Sequence, residues 1–396
     1  MTAPAERAEA RRAYSGPMLL ERGFRPFFLA AGLWAVIGLA LWLATLTGTL
    51  GVPSAFDAAT WHAHALIFGF VGAAVAGFLL TAVPNWTGRL PVRGAALGGL
   101  VALWLAGRLA VGFGQVVGPG IAAAVDLAFW IVLGGAIARE VIAGNNRRNL
   151  PVVAAIGVFA AADAAVHAGT LGLPTAGPVG LRLGIGTVVV LISLIGGRIV
   201  PSFTRNWLAK RGGGPLPRSV PWLDRVTVVG TALAMLAWSG WPGHPATGAA
   251  LLALAALHLA RLSGWRGERT LAEPLVWVLH LGYAWVPVGL ALAGLAALAP
   301  AAVPPVAGLH ALTAGAMATM VLAVATRATL GHSGRPLTAG GATVAIYALV
   351  TVAALSRLGA AFLPTLWVPL LHASATAWIA AFGLFTLIYG AIALRG

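Results

Sequence analysis

The chain has 396 residues, of which 59% are hydrophobic and only 9% are charged, and its formal net charge is +15. No soluble core could bury so large an apolar fraction, so the composition excludes a soluble globular protein and predicts an all-α, polytopic membrane protein. Cysteine is absent, which excludes disulfides, iron–sulfur clusters, thiolate-bound copper and haem attached through cysteine.

Apolar runs recur along the chain, and about 20 residues rising 1.5 Å each cross the hydrocarbon core of a bilayer. The runs predict twelve transmembrane helices in one helical bundle. We expect residues 1–26 to form a cytoplasmic N-terminal tail without a removable signal peptide, and residues 27–396 to form a single membrane domain. The predicted spans are 27–48, 59–83, 94–113, 118–139, 151–171, 177–200, 221–241, 246–262, 273–298, 305–326, 339–361 and 366–393.

The positive charges follow a topological pattern. Arginine and lysine concentrate in the N-terminal tail and in every second loop, among them Arg89, Arg93, Arg147, Arg148 and the basic stretch 198–218. Cytoplasmic loops of membrane proteins carry such an excess, so both termini are predicted to lie in the cytoplasm. The charge therefore indicates orientation in a lipid bilayer and does not indicate nucleic-acid binding.

Three segments at predicted cytoplasmic helix ends resemble one another. Segments 83–89, 200–206 and 325–328 each place Thr and Arg at a helix exit, and they recur about every four helices. One hypothesis is three four-helix pseudo-repeats, which would matter because membrane binding sites often lie where repeats meet. The alternative is that Thr and Arg are simply common at such ends.

The first candidate site is the motif Trp61-His62-Ala63-His64 at the outer end of the second span. Histidine is rare in hydrocarbon, and its neutral ring is a common metal ligand. Residues two apart on a helix point roughly 200° away from each other. Either the first helical turn is irregular, or His62 and His64 serve different partners, such as a haem iron and a copper ion. Asp57 or Thr60 could cap this helix.

The second candidate is His280, deep in the ninth span. Trp277 and Tyr283 share its helical face, and their rings could line a well for a porphyrin, with Gly282 leaving room for a flat plate. An ionisable ring at membrane depth is a functional hypothesis by default. The alternative is a histidine that is hydrogen-bonded to another helix.

The third candidate is His310, which opens the tenth span from outside. Small residues follow it at 311, 314, 315 and 318, so a neighbouring helix or a cofactor could approach closely. Met317 lies on the same face, but methionine more often packs than coordinates, so His310 alone is the predicted ligand.

The other ionisable residues of the spans give weaker signals. His167 and His372 lie at suitable depths but without a motif, and acidic residues are scarce, with Asp126, Asp163, Glu140 and Glu273 as the main examples. Ion-coupled transporters usually have a line of carboxylates through the bundle, so this scarcity counts against that class.

Several longer motifs occur in order along the chain, namely RGFRPFF at 22–28, WHAH at 61–64, GFLLTAVPNWTG at 77–88, GGRIVPSFTRN at 196–206, LHLGY at 279–283 and the run from His310 to TRATLGHSGRP at 326–336. Together they resemble the NnrS family over nearly the whole chain. The family commonly has Glu after the second His of the first histidine motif, where this chain has Ala65. A role of that carboxylate in proton relay or ligand orientation would be lost or rerouted here.

The resemblance implies a protein of the bacterial cytoplasmic membrane that carries copper and non-covalent, b-type haem. It also implies binding or consumption of nitric oxide, protection against nitrosative stress and, for a nitric oxide reductase, an external electron donor. His62, His64, His280 and His310 are then the expected ligands. The competing hypotheses are a transporter of metal, haem or a small anion that uses the same histidines, and a structural assembly factor.

Overall fold

The computed structural model describes residues 14–212 and 214–395, and all regular secondary structure in these ranges is helical, without strands. Part of the predicted cytoplasmic tail, residues 1–13, lies outside the described residues. Twelve long helices, numbered α1 to α12 in order, span Phe24–Leu46, Ala58–Thr87, Ala95–Gly112, Pro119–Ala143, Leu150–Thr170, Ala176–Ala209, Pro221–Gly240, Pro245–Ser263, Pro274–Leu298, Pro305–His332, Gly341–Phe362 and Trp367–Arg395. Short helical turns cover Met18–Leu20, Gly114–Val117, Arg147–Asn149, Gly267–Arg269 and Pro364–Leu366.

The predicted membrane class is confirmed in the described ranges, where eleven helices are long and apolar enough to cross a bilayer. The helix that is not among them is α7, which forms where the seventh span is predicted but carries Asp224 and Arg225 in its first turn and a half. The polytopic helical fold is therefore shown, while the count of twelve spans and the cytoplasmic location of the termini stay predictions.

The three helices that end in the similar exit segments continue past their predicted ends. α2, α6 and α10 end at Thr87, Ala209 and His332 instead of at 83, 200 and 326. The apolar runs stop earlier, but the polar residues that follow still form main-chain helical hydrogen bonds. In each helix one threonine of the similar exit segments also donates its hydroxyl to the carbonyl four residues back, in the pairs Thr87–Val83, Thr204–Val200 and Thr326–Leu322.

The same three helices each contain a π-helical segment. These segments are Ala65–Val71 in α2, Ile192–Gly196 in α6 and Ala311–Met317 in α10. A π-helical turn widens the helix locally and is frequently found at functional sites. Two of the segments begin directly after a predicted ligand, namely His64 and His310.

The chain packs as two compact units, of Met1–Gly177 with Thr386–Gly396 and of Pro178–Phe385. In the first unit, tryptophans from two helices hold the π-helical segment of α2. Trp34 of α1 donates its indole N–H to the Ala65 carbonyl at 2.9 Å, and Trp104 of α3 donates to the Gly69 carbonyl at 3.2 Å. A Cβ at Gly69 would lie 2.4 Å from Nε1 of Trp34, so only glycine permits this contact.

The second unit is organised around α9, which is buried along most of its length. Its Gly294 crosses Gly248 of α8 so closely that a Cβ on either would lie within 3.0 Å of the other's carbonyl oxygen. On the side of α10, Trp285 packs against Gly315. The prediction of a single membrane domain stays a prediction.

Candidate metal centre

Four ionisable side chains meet in the first unit, on three helices. His64 is the last α-helical residue before the π-helical segment of α2, and Asp126 lies in the first half of α4. Asp163 and His167 are four residues apart on α5 and therefore project from one face of it. One ligand atom of each residue lies within 4.8 Å of those of the other three. We call these four residues the His/Asp cluster.

Both imidazoles of the His/Asp cluster face both carboxylates. Nε2 of His64 lies 2.8 Å from Oδ1 of Asp163 and 3.1 Å from Oδ2 of Asp126. Nε2 of His167 lies 3.3 Å from Oδ2 of Asp126 and 3.9 Å from Oδ1 of Asp163. All four residues are at most 2% exposed, so the charges in this cluster are shielded from solvent.

The second oxygen of each carboxylate is held by a neighbour. Arg108 of α3 forms a buried ion pair with Oδ1 of Asp126, and Trp130 of α4 donates its indole N–H to Oδ2 of Asp163 at 2.9 Å. With both histidines neutral, two carboxylates and one guanidinium leave a net charge of −1 in the interior. An uncompensated buried charge is costly, so the cluster requires either a cation or a proton on one imidazole.

The donor set fits a small metal ion. Two imidazole nitrogens and two carboxylate oxygens suit copper(II), zinc or iron. At metal–ligand distances of about 2.0–2.1 Å, ligand atoms of a tetrahedral site are about 3.3 Å apart. The four nitrogen–oxygen distances given above, 2.8 to 3.9 Å, bracket that value. The same short distances leave no gap for a porphyrin between these side chains.

Aromatic rings and a narrow cavity border the cluster. The ring centroid of Phe56 lies 5.1 Å from those of both His64 and His167, and Phe68 lies 5.1 Å from His64. Beside Phe56 and His167 is a cavity of about 10 Å³, also lined by Ser54, Ala55, Val111, Pro119, Ala122 and Thr170. Such a volume holds about one water-sized molecule.

Two residues at the cluster have unused hydrogen-bonding capacity. Nδ1 of His64 and both Nε and Nη1 of Arg108 are buried without a hydrogen-bond partner. A buried polar atom without a partner costs about 1–3 kcal/mol. The Arg108 donors, next to Asp126, can therefore serve a small oxygen-bearing ligand.

The structure separates the two histidines of the WHAH motif. His64 enters the cluster, while His62 stacks on Trp42 of α1 with ring centroids 4.6 Å apart. Residues 58–64 form a regular α-helix with Asp57 as its N-cap, so the first turn is not irregular. Of the two alternatives, the structure supports different partners for the two rings.

His280 lies among protein groups in the second unit. Its Nε2 is 2.8 Å from Oγ1 of Thr204, and its buried Nδ1 has no hydrogen-bond partner and faces the main chain of Gly267. Met320 fills the space beside Gly282, where a Cβ would lie 2.8 Å from its sulfur. The room for a flat plate that the sequence suggested at Gly282 is therefore occupied by Met320.

One ring nitrogen of His310 is hydrogen-bonded, and the other has no hydrogen-bond partner. Nδ1 donates to the Val306 carbonyl at 2.9 Å, which leaves Nε2 as a lone-pair donor without a hydrogen-bond partner. Metal-binding histidines commonly have this arrangement, because the carbonyl fixes the tautomer and the ring orientation. The residue is half-buried.

A second polar network, which the sequence did not indicate, lies in the second unit. The Tyr283 hydroxyl donates to Nδ1 of His258 at 2.8 Å and accepts from Nη1 of Arg261 at 2.7 Å. Nε2 of His258 donates to Thr231 at 3.0 Å, and Arg261 also pairs with Asp224 at 2.8 Å. Since every ring nitrogen and the hydroxyl have partners, this network is complete without a ligand.

Sequence reasoning named Asp126, Asp163 and His167 only as weaker signals and did not predict them as ligands, and it did not indicate their partner Arg108. One local signal existed, since Asp163 and His167 have the spacing of neighbours on a helix face at membrane depth. Asp126 and Arg108 carry no such signal, because their meeting depends on how α3 and α4 pack.

The family model described as NnrS protein matches residues 18–396, nearly the whole chain. A search among curated proteins finds no match.

Proposed function

Because the chain belongs to the NnrS family, we propose that it is a copper- and haem-dependent membrane protein that binds or consumes nitric oxide and protects a bacterium against nitrosative stress. The observation that supports a metal-dependent function is the His/Asp cluster. Its four ligand atoms lie within 4.8 Å of one another, and a bound cation would balance its buried net charge of −1, as a proton on one imidazole also would.

The His/Asp cluster is the proposed copper site. His64, His167, Asp126 and Asp163 would hold the ion, which would supply the one-electron redox chemistry that a reaction with nitric oxide needs. Histidine with oxygen ligands suits copper(II), and no thiolate is available in the chain.

The surrounding residues prepare the cluster for that function. Arg108 and Trp130 fix one oxygen of each carboxylate, so the other oxygens stay directed at the imidazoles. Phe56 and Phe68 exclude bulk water, and the cavity beside His167 admits a molecule about as small as nitric oxide. Nε and Nη1 of Arg108 are the donors proposed for the oxygen of the bound molecule.

Turnover as a reductase would require electrons from an external donor protein or carrier, and haem would be the second group. Twelve spans, cytoplasmic termini and four-helix repeats belong to the same proposal. The repeats are supported by the three π-helical segments and by the three threonines that bond four residues back.

The test is metal analysis and electron paramagnetic resonance of the detergent-purified protein, expressed with ample copper and haem. We expect about one cluster copper per chain, with hyperfine splitting from two imidazole nitrogens and a spectrum that changes with nitric oxide. Asp163→Asn and His167→Gln remove cluster ligands and should weaken copper binding at least tenfold, as losses in and around metal sites do.

Two exposed residues supply matched controls. Asp57→Asn and His244→Gln change the same residue types at helix caps outside the cluster and should keep the copper. A folded wild-type protein without copper would overturn the proposal, as would full copper binding in Asp163→Asn. Copper that exchanges freely and moves with a proton gradient would favour the transporter.

A further inference from the structure

The helices that carry His64 and His310 repeat one local sequence and one local structure. His64-Ala65-Leu66 is followed by Gly69, and His310-Ala311-Leu312 is followed by Gly315 at the same spacing, 246 positions later. The π-helical segments Ala65–Val71 and Ala311–Met317 begin directly after these histidines and have equal lengths of 7 residues.

The preceding helix packs on each segment in the same way. A tryptophan covers the glycine, Trp34 of α1 over Gly69 and Trp285 of α9 over Gly315. A Cβ would lie 2.4 Å from the first indole and 2.5 Å from the second. The π-helical segments of α2 and α10 therefore match in sequence, and each has a tryptophan of the preceding helix packed on its glycine.

The next two helices extend the correspondence. A Cβ at Gly107 of α3 would meet Asp126 of α4, and the position 246 residues later, Ala353 of α11, accepts a hydrogen bond from Ser374 of α12 at 2.8 Å. α3 and α11 also each carry a buried or half-buried arginine within one turn of the equivalent position, Arg108 and Arg357. Helices α1 to α4 thus correspond in order to α9 to α12.

The two copies differ in charge. The position equivalent to Asp126 is His372, so the second copy replaces a carboxylate by an imidazole. Arg357 lies on α11, and α11 packs against the first turns of α10, Pro305–His310. Trp285 also lacks the hydrogen bond that its counterpart makes, since its buried Nε1 has no partner. The carboxylates near His64 therefore favour a bare cation, whereas the positive charge of Arg357 near His310 does not.

We propose that Nε2 of His310 ligates a second metal centre, one that carries its own negative charge to balance Arg357. Nε2 has a free lone pair, and Val306 fixes the ring orientation. A bare dication beside Arg357 would be repelled, whereas a porphyrin iron with its propionates, or a copper ion with a bound anion, brings the compensating charge. This inference rests on the proposed function and assigns a second site to it.

The experiment titrates purified, metal-depleted protein with haemin and, separately, with copper(II) plus nitrite, followed by absorption and paramagnetic resonance. We expect His310→Gln to weaken binding of one of these probes at least tenfold and to leave the cluster copper signal unchanged. His332→Gln, at the other end of α10, should bind like the wild type. The probe that loses affinity identifies the centre as haem or as copper.

Two further variants protect the result against misfolding. His310→Ala opens space for free imidazole, which should restore binding if His310 is a ligand. Arg357→Gln should lower the affinity for the bound probe, and Arg357→Lys, which keeps the positive charge, should lower it less. Arg357→Gln should also shift the absorption spectrum of the bound probe while the imidazole of His310 remains a ligand.

The outcomes separate the two proposals. Equal binding of both probes by His310→Gln and wild type overturns the second site, whatever the cluster does. Failure of imidazole to rescue a folded His310→Ala also overturns it. If Asp163→Asn loses the cluster copper and still binds the probe at His310, both sites are supported. If Asp163→Asn keeps the copper, only the proposal for the His/Asp cluster is contradicted.

Discussion

At the residue scale, Asp57 shows how a capping side chain prepares a site without touching it. Its carboxylate accepts hydrogen bonds from the main-chain N–H groups of Ala59 and Thr60, both at 3.0 Å, and from the Thr60 hydroxyl at 2.6 Å. These bonds begin α2 seven residues before His64. Asp57 therefore fixes the start of the helix that carries His64.

The Asp57 cap predicts a pH dependence at the membrane surface. Partial burial acts to raise the pKa of Asp57, but the hydrogen bonds from Thr60 and Ala59 outweigh it and hold the pKa below its ordinary value. A lowered pKa stabilises the fold above about pH 3.9, and this contribution is lost as the pH falls through the folded-state value.

Thermal unfolding in detergent between pH 3 and pH 6 measures this effect. Asp57→Asn keeps a capping oxygen and should flatten the acid loss of stability, whereas Asp57→Ala should cost about 1 kcal/mol at neutral pH. Identical acid profiles for wild type and Asp57→Asn would contradict the assignment.

The Tyr283 hydroxyl is a second residue-scale test. Tyr283→Phe would leave Nδ1 of His258 without a hydrogen-bond partner, at a cost of about 1–3 kcal/mol, whereas Nη1 of Arg261 would keep its bonds to Ser193. Chemical unfolding in mixed micelles measures the difference. Tyr14→Phe removes a hydrogen bond near the chain's surface and should change stability by less than about 0.5 kcal/mol. An equal, small effect in both variants would show that the Tyr283 network adds no stability.

At the element scale, two glycines let tryptophans seat against π-helical turns. Gly69 and Gly315 contact Trp34 and Trp285 so closely that any side chain must displace the indole. The contact on Gly69 also supports the turn that follows His64. The π-helical segments are therefore held by packing, and this packing is found in both α2 and α10.

Alanine substitutions test the two seats. Gly69→Ala and Gly315→Ala should each destabilise the protein by about 1–3 kcal/mol because they overpack a tight contact. Gly69→Ala should also weaken cluster copper, since it displaces the helix that carries His64. Gly99→Ala and Gly135→Ala have no atoms within 4 Å of the added carbon and should change stability by no more than about 1 kcal/mol. Comparable losses of stability in all four variants would show that the contacts of Gly69 and Gly315 with the tryptophans are not specially sensitive to an added methyl group.

At the scale of the whole molecule, the two compact units carry different chemistry. The first unit, Met1–Gly177 with Thr386–Gly396, contains the His/Asp cluster, and Pro178–Phe385 contains His258, His280 and His310. A ligand stabilises the state that it binds by an amount set by its concentration and affinity. Copper in the cluster should therefore protect mainly the helices that supply its ligands.

Hydrogen exchange by mass spectrometry tests this division. Copper-loaded protein, compared with chelated protein, should show slower exchange in α2, α4 and α5, while α9 and α10 exchange at unchanged rates. Asp163→Asn should abolish the difference, and Asp57→Asn should retain it. Protection centred on α10 instead would place the copper at His310.

The sequence by itself determined the class of the protein and the approximate positions of its helices, and it singled out His64 as a candidate ligand. Apolar transfer energies fix which segments enter a bilayer, so the helical bundle was predictable from runs of hydrophobic residues. A histidine at membrane depth is also visible locally, because its cost is set by its depth and not by its partners.

Only the tertiary structure decided which side chains meet. It joined His64 to Asp126, Asp163 and His167, turned His62 onto Trp42, and surrounded His280 with Thr204 and Met320. Hydropathy assigns each residue a depth, but contact also requires the rotation of each helix and the identity of its neighbours. Those are set by packing between helices distant in the chain, such as the contact of Gly107 with Asp126, and the apolar pattern of any one helix does not contain them.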